Sequence, residues 1–335
     1  MNGTKMVRHR GRKLICAGLS AFGALAIASC SAPQHAAQSV PPPAFQYLGE
    51  WGTAGTAPGQ LQNPQSFNSD RIGNVYIADE GNPAQIEKFD FLGHPLLAFD
   101  LAGNENNWDV AIDSGQAIFT VDVRRAQIQI FSPEGEPFRT LSFRYRSSLN
   151  HPASIAIDPD DDDIYLADFE TAHIARMNAR GRILQVWGQP GGLPVRHWTP
   201  CRIRVGGKGN LYIADADNQL IEKLSLDGGY LSSWDFSFTN LAPKRDVPKA
   251  YGLAVSQNFV VATDETKRLL EIWTVDGTPK LTVNFSEHPE WGQNATPTDV
   301  AFTPKGELLV LDRADAHVLR FRINMPDTKS NSQSH

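Results

Sequence analysis

Apolar and polar positions alternate in short runs along most of this chain, and one run returns six times. β-Branched and aromatic residues close on an aspartate in GNVYIAD (73–79), QAIFTVD (116–122), DIYLAD (163–168), GNLYIAD (209–215), NFVVATD (258–264) and GELLVLD (306–312). The closing residues Asp79, Asp122, Asp168, Asp215, Asp264 and Asp312 stand 43, 46, 47, 49 and 48 residues apart. Runs of this length and composition, bounded by turn residues, predict strands. Each has the same neighbours: a strand such as PASIAID (152–158) or PTDVAFT (297–303) before it and one such as AQIEKF (84–89) or RLLEIW (268–273) after it. A glycine turn and a fourth strand such as RILQVWG (182–188) follow. Four antiparallel strands per unit of about 45 residues is the period of a propeller blade. The sixth unit stops at Ile323 without a fourth strand, and FQYLGEWG (45–52), which looks like RILQVWG, precedes the first complete unit. The pattern predicts an all-β, six-bladed β-propeller over 44–324, its four-stranded antiparallel blades closed by the N-terminal strand completing the last one.

The Gly-Asn-x-Tyr-x-Ala-Asp string, the Gln-Ile-Glu-Lys-Phe that follows it and the Trp-Gly strand ends resemble NHL repeats. The resemblance spans all six units, strongest in the first and fourth and weakest in the second and fifth. It implies the propeller fold and leaves function open, because this fold carries enzymes and binding platforms alike.

Charge is distributed unevenly. Lys5, Arg8, Arg10, Arg12 and Lys13 precede a 16-residue uncharged run, Leu14–Ser29, with no acidic residue in 1–29. That run is short for a membrane span and suits a secretory signal. It ends Ala26-Ile27-Ala28-Ser29-Cys30, which resembles a bacterial lipobox: the resemblance implies cleavage before Cys30 and a lipid on that residue. Ser31 in place of an acidic residue points to the outer membrane of the cell envelope. The expected organisation is a signal peptide (1–29), a lipidated Cys30 with a flexible tether (30–43), the propeller (44–324) and a disordered tail (325–335). Removing 1–29 shifts the formal net charge from −6 to −11. An acidic, exported ring argues against nucleic acid as a partner. Cys201 is then alone in the propeller, so no internal disulfide forms there.

Aligning the inner strands gives two columns expected to face the central channel. The third reads Ser66, Asp109, Ser154, Arg202, Gly252 and Asp299; the fifth reads Asn68, Ala111, Ala156, Arg204, Ala254 and Ala301. Asn68, Asp109, Arg202, Arg204 and Asp299 are therefore candidates for a small polar ligand. Arg202 and Arg204, two apart on one strand face, could clamp a carboxylate or phosphate. The alternative is an internal ion-pair network that plugs the channel. The six repeated aspartates are expected to accept hydrogen bonds from the turns that follow them.

Long connections enter the inner strands at 52–63, 144–151, 189–199, 236–249 and 286–296, and such loops on a rigid scaffold carry function. They bring His151, His197, Trp198, His288 and Trp291 to one face, with Tyr251 at a strand start. Trp198 and Trp291 are expected there as exposed anchors for a partner. Three histidines on one face raise zinc as a candidate, as in the related amidating lyases. Those enzymes place a ligand histidine after the proline that opens the strand, whereas His151 precedes Pro152. The acidic run Asp158–Asp163 raises calcium, without the ligand spacing of an EF-hand. No cofactor is predicted. The leading expectation is an envelope lipoprotein whose long-loop face binds a protein, peptide or glycan; the alternative is a lyase or hydrolase at the channel mouth, metal-dependent or not.

Overall fold

The structure is a computed structural model and describes residues 44–101, 107–143, 149–188, 199–236 and 252–325. Within them, six four-stranded antiparallel sheets form the blades. Their inner strands are Pro64–Ser69, Asn107–Ile112, Pro152–Ile157, Pro200–Gly206, Leu253–Val255 and Pro297–Phe302, in blades one to six. The second strands are buried along almost their whole length, Val75–Asp79 and Ile164–Asp168 completely, which is why those runs are mostly apolar up to the closing aspartate. Six hydrophobic clusters follow, one between each pair of neighbouring blades. The core is a set of inter-blade seams.

The sixth sheet closes the ring. Phe45–Trp51 pairs antiparallel with His317–Ile323, in register Phe45 with Ile323 and Trp51 with Val318. The closure is also packed as every other junction is. Gly93, in the third-to-fourth-strand turn of blade one, has φ +88°, and a Cβ there would fall 2.3 Å from Trp51 Cγ. Glycine is needed at that turn on both counts. The equivalent turns of blades two to five press in the same way on Phe99, Leu141, Trp187 and Trp234 of the preceding blade. The chain end stays tied as well: Asn324 N–H donates to the Ala44 carbonyl at 2.8 Å, and Met325 packs against the last seam.

The two faces differ. The first-to-second and third-to-fourth strand turns share one face, as contacts between them show: the Lys305 ammonium lies 4.4 Å from the Phe91 ring centroid. The long connections described, 52–63 and 285–296, lie on the other face, together with the second-to-third strand turns. The signal segment, Cys30 and the tether lie outside the described residues, as do His197, Trp198 and Tyr251. Among the described residues, no helix is long and apolar enough to cross a membrane.

Candidate functional site

The third inner-strand column meets at the axis. Arg204 in blade four reaches Asp109 in blade two with Nη1 to Oδ2 at 2.8 Å and Nη2 to Oδ1 at 3.2 Å. Arg202 spans both acids, 3.1 Å from Asp109 and 3.4 Å from Asp299 of blade six. Backbone N–H groups complete the shell: Val110 and Ile155 donate to Asp109, and Phe67 and Val300 donate to Asp299. Ser154 adds its hydroxyl to Asp109 and accepts from Ile203 N–H. Gly252 supplies the missing volume, since a Cβ there would stand 2.6 Å from Asp299 Cα.

Two arginines and two aspartates make a neutral group, with Arg202 only 1% exposed. Paired, hydrogen-bonded charges are the form in which burial is tolerated. The two acids are not equivalent. Burial pushes Asp109 up, but the close guanidinium groups of Arg204 and Arg202 outweigh it and hold its carboxyl below the usual range. Burial dominates at Asp299, whose arginine contacts are longer and which also feels Asp109, so its carboxyl is raised. The channel charges thus form the ion-pair plug.

The fifth column lines the space beyond the plug. Asn68, Ala111, Ala156, Arg204, Ala254 and Ala301 enclose a cavity of about 220 Å³. Asp70, Arg71, Asp113, Ser114 and Pro159 also line it, so it opens on the turn face, away from the long loops.

On the long-loop face the repeated aspartates hold the surface together. They accept from the following turn, as Asp168 does from Glu170 and Thr171 N–H and Asp264 from Lys267 N–H. Among the described residues, four of them also accept from the loop that enters the inner strand: Asp79 from Gln62 and Asn63, Asp168 from Asn150 and His151, Asp215 from Thr199, Asp312 from Thr296. One carboxylate therefore staples two connections.

Trp291 is not an exposed anchor. Two short 3-10 turns, Phe285–Glu287 and Pro289–Trp291, fold it into the last seam, where it is 5% exposed. Its ring packs on Phe321 at 4.8 Å, Phe285 at 5.2 Å and Phe45 at 6.1 Å. His288 stacks on its outer side at 3.9 Å and meets Glu290 at 2.9 Å. His151 pairs with Glu170 instead, at the start of blade three. Blades three and six lie across the ring from each other, so these two histidines do not converge on one metal. Among the described residues no group of three or more His, Cys, Asp or Glu could hold a metal ion. Cys201 is buried and its thiol points at the Ala214 carbonyl.

A cluster that sequence reasoning missed joins blades five, six and one on this face. Arg313 donates to Gln65 at 3.0 Å and pairs with Glu265. Glu80 lies close by, its Oε1 buried and without a hydrogen-bond partner among the described residues. Burial raises the Glu80 carboxyl to about 7, against the pull of Arg313 and with a push from Asp79. A signal was available. The residue after each repeated aspartate reads Glu80, Val123, Phe169, Ala216, Glu265 and Arg313, so two acids flank a base in consecutive blades.

Comparison with known proteins agrees with this geometry. NHL repeat-containing protein 3 of Mus musculus is 26% identical over 240 residues, 65% of this chain and 67% of that protein. The chain is a six-bladed β-propeller with sequence similarity to an NHL-repeat protein. No protein-family model matches it. Among solved structures, the propeller is similar to a streptogramin B lyase, with TM-score 0.57 and 16% identity over 84% of this chain and 98% of that one. A virginiamycin B lyase from Staphylococcus aureus with quinupristin gives TM-score 0.54 and 14% identity, over 84% and 90%. The WD40 repeats of RRP9 give TM-score 0.54 and 11% identity, over 79% and 95%. Enzymes and a repeat scaffold share the shape, so the likeness speaks for fold alone.

Proposed function

We infer that this NHL propeller is a lipid-anchored protein of the bacterial cell envelope, held in the outer membrane through Cys30, and that its long-loop face binds a protein, peptide or glycan. The observation that supports a binding scaffold is the neutral plug. Asp109, Asp299, Arg202 and Arg204 spend their charges on one another and leave no reacting group at the axis. The polar groups that break the six-fold repeat stand on the long-loop face, at Glu80–Arg313–Glu265 and His151–Glu170. Cell fractionation and capture from crosslinked cells test this reading. The protein should fractionate with membranes, lose that association in Cys30→Ala, and bring down one dominant envelope component. A protein that is soluble and monomeric with Cys30 intact contradicts it.

One observation favours the second reading, a lyase or hydrolase at the mouth. A carboxyl raised to about 7 beside a guanidinium, as at Glu80, suits proton transfer near neutral pH. The measurement is turnover of candidate substrates, streptogramin B included, by wild type and Glu80→Gln. Activity lost only in the variant supports catalysis; equal activity, or none, removes it.

A further inference from the structure

Among the described residues seven large apolar side chains remain exposed, and all but Val186, late in the strand Ile183–Trp187, gather towards one face. Ile72 and Leu92 sit in turns of blade one, 69% and 46% exposed. Leu96, Phe138, Leu184 and Leu231 are each the second residue of an outer strand, directly after the third-to-fourth-strand turn of blades one to four. Phe138 is 75% exposed. All six therefore belong to the turn face and its rim, opposite the long loops. Scattered apolar residues on a monomer need no explanation, but six of the seven described ones on one face do.

The chain enters the ring on that same face. Ala44 and Phe45 pair with Asn324 and Ile323 where the other blades have a third-to-fourth-strand turn. From Cys30 to Pro43 there are 14 residues. At no more than about 3.5 Å each they reach roughly 50 Å, and less unless fully extended. A lipid on Cys30 thus tethers the ring through a chain that joins it at this face. The turn Asp160–Asp162 on the same face is acidic, which suits zwitterionic headgroups better than anionic ones.

We propose that the turn face is a lipid-docking surface, on which Ile72, Leu92, Leu96, Phe138, Leu184 and Leu231 insert at the headgroup level of the membrane that holds the anchor. Side chains of this kind bind shallowly and reversibly, and the anchor supplies the effective concentration that makes weak contacts count. The long-loop face is then turned outward, towards its partner. This inference rests on the lipid-anchor reading, and its test separates the two.

The full-length protein, purified with its anchor, is reconstituted in phosphatidylethanolamine-rich vesicles. An environment-sensitive nitrobenzoxadiazole label is placed at Phe138→Cys or Leu231→Cys, with His288→Cys as the control on the other face. The labels at 138 and 231 should shift to the blue and be quenched several-fold more than the control by brominated lipid. Labels at 138 and 231 that stay in water on vesicle-bound, lipidated protein overturn the docking surface and leave the anchor standing. Mass spectrometry showing no acyl chain on Cys30 overturns the anchor. The surface is then read on the unlipidated chain with the same vesicles: a blue shift at 138 and 231 supports it, and water-exposed labels overturn it.

Discussion

Arg204 and Asp109 face each other across the axis through two contacts, at 2.8 Å and 3.2 Å, and so join blade four to blade two over 95 residues of chain. Planar guanidinium and carboxylate groups match in this arrangement, which fixes direction as well as distance. The pair is sealed, so its loss is expected to be felt as stability. Asp109→Ala leaves two arginines without their main partner and should cost about 3–5 kcal/mol in urea unfolding. A loss under about 1 kcal/mol would place the plug among weakly coupled surface pairs.

Ser154 and Ser66 occupy the same column and differ in wiring. The Ser154 hydroxyl donates to Asp109 and accepts from Ile203, whereas the Ser66 hydroxyl is buried without a hydrogen-bond partner among the described residues. Ser154→Ala should cost about 1.5–3 kcal/mol, the range for a hydrogen bond to a charged group. Ser66→Ala should be close to neutral in the same assay. Equal losses at the two sites would contradict the asymmetry.

Stability should fall as pH rises through neutrality. Glu87 and Glu80 are raised to about 7, chiefly by burial, so the folded state holds protons there that the unfolded chain, titrating near 4.3, has released. Where the native state binds more protons, stability decreases with rising pH. Asp109 has the opposite sign. Its lowered carboxyl contributes stability above its unfolded value of about 3.9, and that contribution disappears as pH falls through the folded value. Thermal midpoints should therefore rise from pH 8 to pH 5 and drop in stronger acid, with Glu87→Gln flattening the first limb. A midpoint that rises between pH 6 and pH 8 would reverse the sign.

Gly252 is a matter of volume. A Cβ there would meet Asp299 Cα at 2.6 Å and the Thr263 hydroxyl, itself hydrogen-bonded to Gly252 N–H at 2.9 Å. Gly252→Ala should cost about 1–3 kcal/mol from overpacking. Unfolding at wild-type denaturant concentration would show that the inner strand of blade five moves freely aside.

The six aspartate-closed runs made the blades legible, and Phe45–Trp51 made the closure legible, because strand period and turn glycines are local signals. The inner-strand columns followed from alternation, so the meeting of Asp109, Arg202 and Asp299 was within reach. What alternation leaves out is mutual distance, and only the ring decides whether four charges pair or part. The pairing of Arg313 with Glu265 escaped notice because the two meet through the order of blades. Trp291 misled because its loop is polar in composition, yet Phe321, Phe45 and Tyr47 leave an aromatic hollow for it at the last seam. The closed axis and the outward mouth of the 220 Å³ cavity likewise depend on how deep each side chain reaches.

The most direct test of the scaffold reading is site-specific photocrosslinking in living cells, with a benzophenone amino acid at His288 or His151 on the long-loop face and at Asp227 on the turn face. The expected result is one discrete protein, peptide or glycan adduct from the long-loop positions and none of that size from Asp227. The same adduct from Asp227 alone, or no adduct from either face, would contradict it.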